Sequence, residues 1–145
     1  MTTVRQGVVA VIGRPDRRLL VIQRSELVTA PGAYCFPGGA IEPGESETDA
    51  LRRELDEELG LAIRPLRRLW RSRTPWNVEL AWWSAELEAP DAQPQPAPAE
   101  VARADWMEVA AIRRLPKLLT SNLEFFAAWD AGEFELPWTT SDRRA

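Results

Sequence analysis

Residues 46–60 read Ser-Glu-Thr-Asp-Ala-Leu-Arg-Arg-Glu-Leu-Asp-Glu-Glu-Leu-Gly, and this stretch constrains the fold more than any other. Leu51, Leu55 and Leu59 recur every four residues, which makes one apolar stripe on a helix spanning residues 46–59. Ser46 caps the start, with Asp49 at the third helical position, and Gly60 ends it as a glycine that accepts a left-handed conformation. At about 100° per residue, Glu47, Glu54, Glu57 and Glu58 form a second stripe beside the leucines. Asp49, Arg52 and Asp56 fall on the solvent side. Carboxylates three and four residues apart repel one another unless a cation neutralises them. The helix must therefore bury one face and carry dense negative charge beside it.

The charge is local. Residues 42–58 hold eight acids and two bases, a net of −6, whereas the whole 145-residue chain carries −4. The rest of the chain is thus slightly basic, which excludes an evenly acidic protein and a basic nucleic-acid binder. The chain has no histidine and one cysteine, Cys35. That removes an internal disulfide, Ser-His and Cys-His pairs, HExxH zinc sites, His-ligated haem and C2H2 fingers. Acid–base or metal chemistry then falls to carboxylates, which are the ligands that hard cations such as Mg²⁺ take. The plainer reading of such a stripe is a solvated helix face.

The length suits one domain over residues 1–145, burying about 68–70% of its unfolded surface without a disulfide or metal staple. The apolar run at residues 7–12 is too short for a signal-peptide core or a membrane span, so a soluble cytoplasmic protein is expected. Residues 8–12 read as a buried strand, and 19–22 as a second strand ending in Gln23 and Arg24. The turn residues between them predict a hairpin. Short extended segments follow at 33–36 and 40–42, and longer strands at 63–70, 78–87 and 101–106. Residues 90–99 form a Pro-rich connection, flexible as a loop but stiffened by Pro94, Pro96 and Pro98. A second amphipathic helix is expected at 122–131, with Leu123, Phe126 and Ala127 or Trp129 inward and Gly132 as its stop. Residues 134–138 are expected to pack back on the body, and 139–145 to form a frayed tail. Strands, helix, strands, helix in this order predict an α/β domain with a mixed sheet between helices.

Gly39, five residues, Glu45, seven residues, then Arg53-Glu54-Leu55-Asp56-Glu57-Glu58-Leu59-Gly60-Leu61 resembles the Nudix box, Gx5Ex7REUxEExGU with U bulky and apolar. Every fixed position is filled across residues 39–61. At a frequency of roughly 0.06 per fixed position, such a match arises by chance below about 10⁻⁸ per window. The resemblance implies a Nudix α/β/α sandwich in which the box is a loop–helix–loop. It also implies Mg²⁺-dependent attack by water on a diphosphate linkage in a nucleoside diphosphate joined to another moiety, with Mn²⁺ as an alternative cation. Carried onto this sequence, Glu57, Glu58 and the Gly38 carbonyl are candidate metal ligands, and Glu54 is a candidate base or ligand. Arg53, one turn before Glu57, is a catalytic candidate that orients a glutamate. Glu45 joins or supports the cation shell, and Gly38 and Gly39 let the backbone approach metal and phosphates.

Gln23-Arg24 and Phe36-Pro37-Gly38-Gly39 keep the spacing of the MutT-like branch. There Arg24 touches substrate phosphate or base, against the alternative of a surface arginine. Phe36 lies against a base, against the alternative of a core residue. Glu100, six residues before Trp106, carries over as a further ligand or alternative base, against a solvated loop acid. Asn122 carries over as a reader of the base, against an N-cap of the last helix. The seven tryptophans read as core and rim packing, against the alternative that Trp76 or Trp82 stacks on a base, and the arginines of residues 64–73 read as a solvated strand face, against attraction of polyphosphate or RNA. The branch implies a (deoxy)nucleoside triphosphate pyrophosphohydrolase. The expected partner is a small-molecule nucleotide, with no stable nucleic-acid partner and no membrane, in a monomer or homodimer. The alternative is a non-catalytic module that binds a nucleotide or an ADP-ribose-like ligand.

Overall fold

A computed structural model describes residues 4–136. Its elements are β1 (Arg5–Ile12), β2 (Arg18–Arg24), β3 (Tyr34–Cys35), β4 (Gly38–Ala40), α1 (Glu47–Leu59), β5 (Ile63–Arg73), β6 (Val78–Leu87), β7 (Val101–Glu108), α2 (Val109–Ile112) and α3 (Thr120–Asp130). One sheet is mixed, in the order β4-β1-β6-β5, with β1 parallel to β6 and the other pairs antiparallel. The second is antiparallel, in the order β3-β2-β7.

The strands explain their own composition. In β1, Val8, Ala10 and Ile12 pack with Leu51, Leu55 and Leu59 of α1. Val9 and Val11 point the other way, toward Phe125, Phe126 and Trp129 of α3. In β2, Leu20 and Ile22 join the α1 side, and Leu19 and Val21 the α3 side. Side chains alternate across a strand, so a strand buried on both faces reads as a continuous apolar run. The result is the expected α/β/α sandwich. Among the described residues no helix is long and apolar enough to cross a membrane.

Helix α1 follows its sequence closely. The Ser46 hydroxyl accepts the N–H of Asp49 at 3.1 Å. Gly60 is left-handed at φ 62°, and its N–H donates to the Asp56 carbonyl.

Other expectations need correction. The predicted hairpin does not extend into a ladder: β1 and β2 lie in different sheets, linked across the turn by the bridge between Gly13 and Leu19 and by the Arg14 N–H on the Arg18 carbonyl. The turn is compatible with a hairpin, but β1 finds an eight-residue parallel partner in β6, and β2 finds its partner in β7. Strand β5 runs on to Arg73, with register shifts at Pro65/Arg67 and Arg68/Trp70. The first shift lies beside Pro65, which has no N–H to offer the ladder. Helix α2 is a single turn that no cap or periodicity marks in the sequence. Helix α3 begins at Thr120, with Leu119 at its N-cap and no side-chain cap bond. Leu123, expected inward, is half exposed, and Phe125 is fully buried in its stead. Phe125 stacks on Trp82 at 4.9 Å and 23°. Phe134 and Leu136 bury against the same aromatic cluster, as expected of residues 134–136. The expectations for residues 137–145 lie outside the described residues.

Candidate active site

Strand β4 brings the glycines against β1, with Val9 opposite Gly38 and Val8 opposite Gly39. A Cβ on Gly38 would overlap the Val8 carbonyl oxygen, and one on Gly39 would overlap the Glu54 carboxylate. Both positions therefore need glycine for reasons that precede any ligand: one for sheet pairing, the other to leave Glu54 its place.

Arg53 organises the acids around it. Its Nε donates to Glu45 Oε2 at 2.7 Å and its Nη2 to Glu45 Oε1 at 2.9 Å. Nη2 also donates to the Ala40 carbonyl at 2.9 Å. Nη1 donates to Glu54 Oε1 at 3.0 Å and to Glu57 Oε2 at 3.2 Å. The guanidinium holds the Glu45 carboxyl down to about 2. The guanidinium thus bonds three glutamates, with Glu45 the most tightly held.

The remaining acids differ in environment. Glu58 is 9% exposed and accepts the Gly38 N–H at 3.2 Å. Burial, then the Glu54 charge, pushes its carboxyl up to about 8. Burial also raises Glu54, opposed by Arg53. Glu57 is half exposed, and Glu100 is exposed on the turn before β7. The Glu100 charge still acts on both Glu54 and Glu58. Glu47 lies on the helical stripe but serves another purpose. It accepts from Trp83 Nε1 at 2.8 Å, Arg71 Nη2 at 2.7 Å and Arg68 Nη1 at 3.3 Å. The N-terminal end of α1 is thus tied to β5 and β6. Other arginines of β5 are also engaged: Arg64 with Glu86, Arg73 with Glu79, and Arg67 with the Glu135 carbonyl.

A cleft of about 250 Å³ opens beside this cluster, and Gly38, Gly39, Glu58, Arg24, Phe36 and Asn122 all line it. Residues far apart in sequence meet there, whereas Arg53, Glu54, Glu57 and Glu100 are not among those that line it. Arg24 Nε donates to the Thr29 carbonyl at 2.6 Å and Nη2 to the Thr29 hydroxyl at 3.0 Å, so the guanidinium is held in place. Phe36 is 3% exposed and meets Phe125 edge-on at 5.5 Å, so it belongs both to the core and to the cleft wall. Asn122 is buried, and its Nδ2 has no hydrogen-bond partner. A buried N–H donor of this kind is costly unless something in the cleft accepts from it. Trp82 is fully buried and Trp76 is 74% exposed, so of the two only Trp76 is accessible for stacking.

Sequence reasoning missed Arg5, Val78 and Leu80 on the cleft rim, because nothing local marks a strand end as a cleft wall. It also missed Ser25, a buried hydroxyl next to Arg24.

The donor set fits a hard divalent cation. All candidate ligands offer oxygen, burial and the Glu54 charge raise the Glu58 carboxyl, and the glycine pair keeps side chains out of the space beside Glu54. Among the described residues no three acidic side chains are already drawn together tightly enough to hold a metal ion.

The profile described as NUDIX domain matches residues 3–129. The chain belongs to the NUDIX family. A NAD-capped RNA hydrolase NudC from Deinococcus radiodurans is 30% identical to this NUDIX chain over 126 residues, 82% of the chain and 42% of that protein. A CTP pyrophosphohydrolase from Escherichia coli (strain K12) is 46% identical over 54 residues, 37% of the chain and 40% of that protein. The chain spans about two-fifths of the length of these curated relatives. A MutT protein from Methanosarcina mazei Go1 shares the fold with a TM-score of 0.77 at 20% identity, covering 92% of this chain and 98% of that one. A MutT NUDIX hydrolase from Burkholderia pseudomallei has a TM-score of 0.67 at 26% identity, covering 86% of this chain and 95% of that one.

Proposed function

We propose that this NUDIX chain is a Mg²⁺-dependent pyrophosphohydrolase that cleaves a diphosphate linkage in a nucleotide, with a (deoxy)nucleoside triphosphate as its substrate. The observation that carries the reading is the cleft itself, which joins the Glu58 carboxyl to the unpartnered amide nitrogen of Asn122. The relatives named as a CTP pyrophosphohydrolase and as a NAD-capped RNA hydrolase act, by those names, on CTP and on NAD-capped RNA, which supports a nucleotide-containing substrate.

In this reading Glu57, Glu58 and the Gly38 carbonyl hold Mg²⁺ or Mn²⁺, with Glu100 adding a carboxylate. The bound cation supplies charge neutralisation at the phosphate oxygens and a more acidic water. Glu54 accepts the proton of the water whose oxygen attacks phosphorus, as the bond to the leaving phosphate oxygen breaks. Arg53 fixes Glu54 and Glu57 for this role. Arg24 offers positive charge to the phosphates, Asn122 donates to a base acceptor, and Phe36 backs the base.

The test is release of phosphate or pyrophosphate across a panel of nucleotides with Mg²⁺ and with Mn²⁺. Glu57→Gln is expected to lower kcat by about 10²-fold or more. It should leave the fold intact, since Glu57 is half exposed. Wild-type turnover in that variant, on a substrate confirmed for the parent, overturns the role of Glu57. Tight nucleotide binding without release from any member of the panel would favour a non-catalytic module instead.

A further inference from the structure

Pro94, Pro96 and Pro98 have no N–H, so Gln95 and Ala97 are the donors left between them. Both are used on α1. Gln95 N–H donates to the Leu59 carbonyl at 2.7 Å, and Ala97 N–H to the Glu58 carbonyl at 2.9 Å. The connection expected to flex is therefore fastened to the C-terminal end of the box helix. The proline rings fix their own φ angles, so the segment between the two bonds is stiff.

The other end is held by Ser25. Its side chain lies in the protein interior at 5% exposure. Its Oγ donates to the Ala99 carbonyl at 2.8 Å and accepts the Leu27 N–H at 3.2 Å. Its own N–H donates to the Glu100 carbonyl at 3.0 Å. Within the turn, the N–H groups of Glu100 and Val101 both donate to the Ala97 carbonyl at 2.9 Å. Ser25 follows directly on the register shift between Gln23 and Arg24, after which Arg24 pairs with Val101 at the end of the ladder with β7. Such irregularities often re-aim side chains beside a site. Glu100 is exposed and would be mobile on an unbraced turn. Instead the turn is fastened at Ala97 to the Glu58 carbonyl and at Ala99 and Glu100 to Ser25.

We propose that Ser25 is a positioning residue: with its hydroxyl on the Ala99 carbonyl and its N–H on the Glu100 carbonyl it fixes the turn from which the Glu100 carboxylate joins the cation site, the hydroxyl being the part that serine alone supplies. This rests on the reading of Glu100 as a cation ligand and extends it to a residue that touches neither substrate nor cation.

The test is Mn²⁺ binding to the full chain without nucleotide, followed by electron paramagnetic resonance, in wild type, Ser25→Ala, Glu100→Gln and the double variant. Glu100→Gln is expected to weaken binding, and Ser25→Ala to weaken it about tenfold, the usual scale for a residue that orients a ligand. The double variant should be no worse than Glu100→Gln alone, and Ser25→Thr, which keeps the hydroxyl, should restore most of the affinity. Should Ser25→Ala fail to fold by circular dichroism, Ser25→Cys, close in volume with a weaker donor, carries the same comparison. Losses that add in the double variant overturn the proposal while leaving Glu100 a ligand. Unchanged Mn²⁺ binding in Glu100→Gln overturns the ligand reading, and the proposal with it.

Discussion

Arg53 and Glu45 are eight residues apart and form the most fully satisfied ion pair of the site, two parallel N–H···O bonds on partly buried groups. A helical wheel places Arg53 beside Glu57 but says nothing of Glu45, which reaches the guanidinium from the loop before the helix. That is why the orienting role was legible in the sequence and its main partner was not. The pair sets a pH dependence. Glu45 is lowered from an ordinary 4.5 to about 2. An acid lowered on folding adds stability that is present above its ordinary value and is lost as the pH falls toward the folded one. Thermal unfolding of wild type and Glu45→Gln should therefore differ most at neutral pH, with the wild type more stable. The two curves should converge as the pH falls from about 4.5 to about 2. A gap that stays constant over that range would show that the pair does not carry the effect.

At the level of elements, α1 is fixed at both ends: by Glu47 to Arg68, Arg71 and Trp83, and by the carbonyls of Glu58 and Leu59 to the Pro-rich segment. Its length, cap and stop were all readable, because they depend on residues a few positions apart. The strand pairing of β1 was not, since its partner β6 begins more than sixty residues later and no local signal names it. Strand β4 offers a contrast between neighbours. Gly38→Ala forces a methyl into the backbone of β1, so it should destabilise the protein strongly, with a clear fall in Tm. Gly39→Ala meets the Glu54 side chain, which can move aside, so it should cost activity more than stability. Parallel measurement of Tm and kcat in the two variants tests this. Equal loss of Tm in both would overturn the distinction.

The whole molecule is held by two cores on opposite faces of the same strands. Their existence was legible from the continuous apolar runs and from the leucines of α1. The composition of the second core was not, because Phe36, Trp82, Phe125 and Phe134 come from four separate segments. Helix α3 shows the difficulty. Its apolar residues are too many to pick one face by periodicity, and the aromatic partners across the sheet decide that Phe125 points inward and Leu123 out. Phe125→Ala should cost about 3–5 kcal/mol in denaturant unfolding, whereas Leu123→Ala should stay within about 1 kcal/mol of the parent.

Cys35 is the only thiol in the chain and lies at 5% exposure on the inner wall of the cleft. Burial pushes it up to about 11, so at neutral pH it is protonated as well as shielded. Maleimide dyes and spin labels react with exposed thiolates, so the native protein offers them almost nothing. A cysteine introduced at exposed Trp76 or Leu27 would then be labelled selectively with Cys35 left in place. A label at either position leaves every residue that lines the cleft unchanged.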